Sequence, residues 1–488
     1  MKCILAIDQS TSGTKALLVD DEGKIIAKDS LNHPQTYPQP GWVEQDANLI
    51  WQNVLELIRG LPEKAGVPWS SIVGLALTNQ RETTVAWDRQ TGQPLAAAVT
   101  WQCQRGERIC DSLAEHASEV LAKTGLNLSA YYPAAKAAWL LRNSTEVIDS
   151  SESGQLCIGT VDSYLLYRLT QGAVFATDLS NASRTQLMNL DTLDWDEEIL
   201  SLFQIPRAAL PVIHASDAIF GQTAPGILPV CLPIAGVMGD SHAALFGQCC
   251  IEPGMAKATY GTGSSIMMNI GSQRMNPPRG IVTSLAWGWQ GAIHYVLEGN
   301  VTSSGDTLKW LCEDLELFQS VQEIDAMAEQ VPTSDGVYLI PAFAGLGAPY
   351  FDSSARAAIL GLSRGSKKTH VAKAALESIA YQNHAVISAM GKSLTELRVD
   401  GGPTRSKILM QIQADILQCR VSCSAYQEIS ALGVAYMGGI KLGLYSGLGD
   451  ISAIKQRGHA YEPAIQKEEA DKKVRGWQQA VKCVLIQK

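Results

Sequence analysis

Residues 4–24, ILAIDQSTSGTKALLVDDEGK, decide how this chain is read. Residues 4–7 are a short apolar run of the kind that forms a buried strand, and Asp8 ends it. Gln9-Ser10-Thr11-Ser12-Gly13-Thr14 follows, small hydroxyl residues around one glycine. Residues 16–19 are a second apolar run, closed by the turn Asp20-Asp21-Glu22-Gly23. The pattern predicts strand, tight polar hairpin, strand. Small residues let backbone N–H groups and hydroxyls close around a phosphate. An acid at a strand end suits Mg²⁺, usually through water. The same residue types also close ordinary surface hairpins.

Residues 255–270, MAKATYGTGSSIMMNI, have the same shape. An apolar segment reaches Tyr260, Gly261-Thr262-Gly263-Ser264 turns, and an apolar run leads away from Ile266. One polar hairpin thus opens each half of the chain. Two facing phosphate hairpins predict a nucleotide held in a cleft between two domains, 1–247 and 248–488, divided at GQCCIEPG (247–254). The P-loop pattern GxxxxGK[ST] is absent, so phosphate would be bound by another design.

With 488 residues, 46% hydrophobic and 18% charged, the chain can bury two or three ordinary cores. A net charge of −9 argues against nucleic acid or an anionic membrane as the main partner. No segment approaches ~18 uninterrupted apolar residues, so no membrane insertion is expected, and Met1-Lys2 leads directly into a strand without a leader. Eleven scattered cysteines without CxxC fit reduced thiols in a cytoplasmic protein. The eight histidines lack HExxH spacing, and zinc chemistry is not expected.

Residues 46–59 predict an amphipathic helix capped by Asp46. An apolar strand over 72–78 runs into Asn79-Gln80-Arg81-Glu82-Thr83-Thr84. There Arg81 can donate to hydroxyl oxygens and Glu82 accept from hydroxyl hydrogens, a pairing suited to a polyol. The plainer reading is a surface ion pair worth roughly 0–1 kcal/mol. Trp101-Gln102-Cys103 reads as the opening of a helical segment, and Tyr131-Tyr132-Pro133 precedes a helix holding Lys136 and Trp139. Aromatics there can line a sugar pocket or simply fill core. Residues 193–203 predict another helix.

A strand over 232–237 leads into Met238-Gly239-Asp240-Ser241-His242 and a helix. Asp240 can cap that helix, or act as a general base at the mouth of a cleft. Gly305 lies near a helix start, where a nucleotide could approach the backbone. A Gly401-Gly402 turn separates a strand from the helix 407–417, a βα arrangement that also serves for phosphate. The small residues of 431–442 predict a closely packed helix.

The chain resembles the FGGY family of carbohydrate kinases nearly end to end, most of all the members that phosphorylate glycerol. The likeness is carried by ILAIDQSTSGTKA, PGWVEQD, LTNQRETTVAWD, TDLSNASRT, MGDSHAALFGQ, ATYGTG, PAFAGLGAPY, RVDGG and ALGVAY, in order. Residues 357–377 match the second family signature, and 131–143 match the first except at Ala137. The resemblance implies an α/β protein of two actin-like ATPase (ribonuclease H-like) domains with an interdomain catalytic cleft. It implies ATP- and Mg²⁺-dependent phosphorylation of a primary hydroxyl on a small-molecule polyol or sugar, and a homodimer or homotetramer. Asp240 would be the catalytic base, with Asp8 and Asp240 placing the metal. Thr11, Ser12, Gly13, Lys15, Thr262, Gly305, Lys309, Gly402 and Ser406 stand at nucleotide positions. Arg81, Glu82, Trp101, Tyr131 and Asp240 stand at polyol positions.

Several positions depart from the family pattern. Ser241 stands where the glycerol-phosphorylating members typically have Gln, and Ser265 where they have an aromatic. Both changes remove bulk and add hydroxyls, which predicts a roomier, more polar substrate pocket for a longer polyol or ketose. Lys15 replaces Arg, Lys309 replaces Gln, and Ser406 replaces Asn. No Gly-Gly-Arg loop lies between Gly221 and Pro233, so inhibition by a sugar bisphosphate is not expected. A kinase for xylulose or ribulose is the rival enzyme. A non-catalytic nucleotide switch or sugar sensor is the rival of another class.

Overall fold

A computed structural model of the chain describes residues 1–454 and 457–485. Strands β1 (Cys3–Gln9), β2 (Gly13–Asp20) and β3 (Ile25–Asn32) form an antiparallel meander. Helix α1 (Ala47–Lys64) follows, with Asp46 as its N-cap accepting from the Asn48 and Leu49 N–H groups. Strand β4 (Ile72–Asn79) then lies parallel to β1, with Thr78 opposite Asp8. Helix α2 (Pro133–Asn143), strand β5 (Ile219–Gln222), strand β6 (Pro233–Gly239) and helix α3 (Asp240–Gly247) complete the parts of the first half that matter for the site. The first sheet runs β5-β6-β4-β1-β2-β3.

The second half repeats the plan. Strands β7 (Met255–Tyr260) and β8 (Ser264–Gly271) form the second hairpin. Strands β9 (Val282–Trp289) and β10 (Ala292–Val301) extend it, and helix α4 (Gly305–Glu313) leaves the end of β10. Strand β11 (Glu396–Gly401) is parallel to β7 as β4 is to β1. Helix α5 (Lys407–Leu417), strand β12 (Arg420–Ser424), helix α6 (Ile429–Lys441) and strand β13 (Arg457–Tyr461) follow. This sheet runs β9-β10-β8-β7-β11-β12-β13. Each half is built on a hairpin whose first strand pairs in parallel with a later one, a likeness that the letters of the two halves do not show.

Helix α6, though late in the chain, packs on the first sheet. Its Leu432, Val434, Ala435 and Met437 share a core with Ile4 and Ala6 of β1, Met238 of β6 and Phe246 of α3. Small residues permit this contact: a Cβ on Gly433 would lie 1.9 Å from the Ala243 carbonyl oxygen. The two halves are therefore joined by a packed helix as well as by the crossover at 247–254.

Two local expectations are corrected. Trp101-Gln102-Cys103 is a turn, in which the Cys103 N–H donates to Thr100 O, and the helix there begins at Glu107. Helix 193–203 begins at Glu197, because Asp196 caps it while Asp194–Trp195 pairs with Met188–Asn189. No helix among the described residues is long and apolar enough to cross a membrane.

Candidate active site

A cleft of about 540 Å³ opens where the two hairpins face each other. The first half supplies Thr11, Arg81, Glu82, Trp101, Tyr131 and Asp240 to its walls. The second half supplies the Gly261-Thr262-Gly263 turn and the strand ends that flank it.

Asp240 stands where β6 gives way to α3, beside the end of β4, since Gly239 pairs with Asn79. Gly239 is the N-cap and Asp240 the first helical residue, so the capping reading of Asp240 does not hold. Asp240 Oδ1 accepts from the Ser241 N–H at 2.6 Å and from Arg81 Nε at 3.1 Å. The carboxylate stays partly exposed to the cleft.

Arg81 and Glu82 are buried, and the surface-pair reading is overturned. Their direct contact is only 4.0 Å. Arg81 Nη1 and Nη2 donate instead to the two Glu298 oxygens at 2.9 and 3.0 Å, in a bidentate fork. Arg184 Nε donates to Glu82 Oε1 at 2.6 Å, and Arg184 Nη1 lies 3.1 Å from Glu298 Oε2. Two guanidinium groups and two carboxylates thus balance one another away from water. Against the cost of burial, Arg184 and Arg81 hold the Glu298 carboxyl well below the usual carboxylate range. Arg81 Nη2 also donates to Ser241 Oγ at 3.2 Å, which leaves a single Nη1 hydrogen for a ligand.

Glu82 has φ 62, a left-handed backbone that a residue with a side chain adopts only under constraint. Lys136, fully buried on α2, supplies part of that constraint. Its Nζ donates to the Glu82 carbonyl at 3.2 Å and to the Tyr131 carbonyl. Burial lowers its pKa to about 7. Trp101 and Tyr131 meet edge to face, 5.8 Å between ring centres. Trp101 Nε1 donates to Thr11 Oγ1 at 3.0 Å, which ties this aromatic wall to the first hairpin.

The residues expected to meet a nucleotide fall into two groups. Ser12, Lys15, Thr262, Lys309 and Gly402 are exposed, and Thr11 is half-buried on the cleft wall. Gly305 opens α4 where its N–H donates to Gly261 O at 2.9 Å, and a Cβ there would press on that oxygen at 2.6 Å. Gly13, by contrast, is buried within its hairpin. Ser406 is also buried: its hydroxyl accepts from the Leu409 N–H, which caps α5, and donates to Asp325 Oδ1 at 2.7 Å.

Burial first, and the charge of Asp240 second, push the Asp8 carboxyl up to about 7. Lys15, directly opposite on β2, offsets part of this. The two carboxylates are thus near enough to feel each other's charge, and a cation beside them would relieve that repulsion. No cluster of three or more metal-ligating side chains is found among the described residues. That donor set suits Mg²⁺, which takes one or two carboxylates and completes its shell with water and phosphate oxygens.

The sequence reading passed over Arg184 and Glu298. Each had a visible signal: Glu298 is a lone charge in the apolar strand AIHYVLEGNV, and Arg184 follows the uncharged run SNAS. His242 is a structural residue, buried with Nε2 3.2 Å from Ser284 Oγ, and burial holds its pKa well below the usual value.

Residues 3–247 match the N-terminal domain of the FGGY family of carbohydrate kinases, and residues 256–442 match its C-terminal domain. Glycerol kinase 1 of Thermotoga maritima is 46% identical over 490 residues, covering 99% of this chain and 100% of that protein. The glycerol kinase of Caldanaerobacter subterraneus is 42% identical over 98% of each chain. The crystal structure of Plasmodium falciparum glycerol kinase with ADP superposes with a TM-score of 0.95 at 33% identity, over 100% of this chain and 99% of that one. A ligand-bound xylulose kinase from Lactobacillus acidophilus shares the fold, with a TM-score of 0.89 at 24% identity over 99% and 98% of the two chains.

Proposed function

The chain belongs to the FGGY family of carbohydrate kinases, and we propose that its cleft transfers the γ-phosphoryl group of ATP to a primary hydroxyl of a small polyol, as glycerol kinases do. The observation that carries this reading is the Asp240 carboxylate, exposed to the cleft between two glycine hairpins and steadied by the buried Arg81 guanidinium. Residues 1–247 are the domain of the polyol and the base, and 248–488 the domain of the nucleotide.

Phosphoryl transfer asks little covalent chemistry of a protein and much positioning. Glu82 keeps one carboxylate oxygen free of Arg184 to accept from a polyol hydroxyl, and Arg81 has its last N–H to donate. Trp101 and Tyr131 pack against the carbon chain. The reacting hydroxyl oxygen forms a bond to the γ-phosphorus while the bridging P–O bond breaks and ADP leaves with the electron pair. Asp240 takes the hydroxyl proton. Thr11, Ser12 and Lys15 on one hairpin, which Gly13 lets pack closely on β3, and Thr262, Gly305, Lys309 and Gly402 on the other side, hold the nucleotide, with Ser406 capping the helix that follows the Gly401-Gly402 turn. Mg²⁺ held by Asp8 and Asp240 would neutralise phosphate charge.

ADP release measured with and without polyol tests the reading. Turnover should require both ATP and a polyol. Hydrolysis of ATP indifferent to added polyol would overturn it. Assembly as a homodimer or homotetramer is part of the same proposal, and light scattering measures it.

A further inference from the structure

Within that kinase reading, we infer that the preferred acceptor is an open-chain polyol of four or five carbons, whose distal hydroxyls are read by a polar row across the second sheet: Thr259, Ser265 and Asn300. Thr259 pairs directly with Ser265 across β7 and β8, and Ser265 pairs with Asn300 across β8 and β10. Directly paired residues project from the same face of a sheet. Two residues further along each strand, Lys257, Met267 and Glu298 share that face, and Glu298 is the carboxylate that grips Arg81. The row therefore looks at the site, and all three members line the cleft.

The row has hydrogen-bonding capacity to spare. Ser265 Oγ has no partner in the wall. Nothing there holds it, so rotation about χ1 can turn it to a ligand. Among the described residues, the Asn300 carboxamide makes no hydrogen bond while lying open to the cleft. Thr259 Oγ1 accepts from the buried Lys257 Nζ at 3.2 Å and keeps its own O–H to donate. A three-carbon polyol is already served by the first-half wall: Asp240 takes the reacting hydroxyl, with Arg81 and Glu82 for the others. Hydroxyls added on a longer chain are what the row can satisfy. Ser265, at its centre, is small enough to admit them.

The test measures kcat/KM with ATP and Mg²⁺ for glycerol, erythritol, xylitol, ribitol, xylulose and ribulose on the full chain. Ser265→Phe and Ser265→Ala are measured alongside. Expected is a tetritol or pentitol ahead of glycerol by tenfold or more. Ser265→Phe should cut that ratio at least tenfold by filling the space, and Ser265→Ala should cut it severalfold by removing the hydroxyl. Thermal unfolding verifies that each variant is folded, and Ser265→Ala decides if Ser265→Phe is not. Glycerol ahead of every longer polyol, a ketopentose ahead of every polyol, or a ratio unmoved in the folded variants would each overturn the inference while leaving the kinase reading intact. ADP release without any need for polyol would overturn both.

Discussion

Arg81 reaches Asp240 across 159 positions of chain, its Nε donating to Oδ1 at 3.1 Å. The same guanidinium is gripped by Glu298 from the other half of the molecule. The proposed base is therefore held by a cation that both halves fix in place.

Asp240→Asn should retain fold and nucleotide binding, because an amide fits the same space at the start of α3. Turnover should fall by about 10²–10⁴-fold, the usual worth of a positioned base. Calorimetric titration with ADP and steady-state kcat measure the two effects separately, and near-normal kcat would remove Asp240 from the chemistry.

Glu298→Gln leaves Arg81 and Arg184 with one buried carboxylate between them. Loss of one partner from such a group costs about 3–5 kcal/mol, and KM for polyol should rise as Arg81 loosens. The pH dependence follows from the depressed carboxyl of Glu298. Its contribution is complete above the unfolded value of about 4.3, and it is lost as pH falls below that toward the folded value. Denaturant titrations at acid pH should show the parent losing more stability than Glu298→Gln on the same descent.

Lys136 has the opposite kind of shift, a cation whose pKa burial lowers to about 7. The unfolded chain binds the extra proton between pH 7 and about 10.4, so stability rises with pH across that window. Lys136→Met should flatten this rise. It should also leave the carbonyls of Glu82 and Tyr131 without their donor, costing about 1–3 kcal/mol for a buried polar group and raising KM for polyol more than for ATP. Urea melts at pH 7 and pH 10 and a pair of KM values check both halves.

Asp8→Asn keeps the hairpin but removes one of the two acids proposed for Mg²⁺. The Mg²⁺ concentration for half-maximal turnover should rise about tenfold, equivalent to about 1.4 kcal/mol, and EDTA should abolish turnover in the parent. An unchanged Mg²⁺ requirement in the variant would take Asp8 out of metal binding.

The sequence by itself determined both hairpins, the strand-to-helix junction at Asp240, the α/β class and, through its ordered motifs, the kinase likeness. These are local patterns: a strand, a turn of small residues and a helix cap are settled by neighbours in the chain. Ser241 and Ser265 stand out in it as departures from the family pattern. Only the tertiary structure decided who partners whom. Arg81 and Glu82 are adjacent in sequence, yet each takes its main partner elsewhere, Glu298 and Arg184, because a charge buried away from water must find its opposite wherever the fold brings it. Ser406 reads as a ligand residue beside a glycine turn, and the fold makes it a helix cap. The row Thr259, Ser265 and Asn300 is invisible in the chain, since strand register alone sets it side by side. Local order follows from near neighbours, whereas a site assembled from both halves follows from long-range packing and from burying charge in balance.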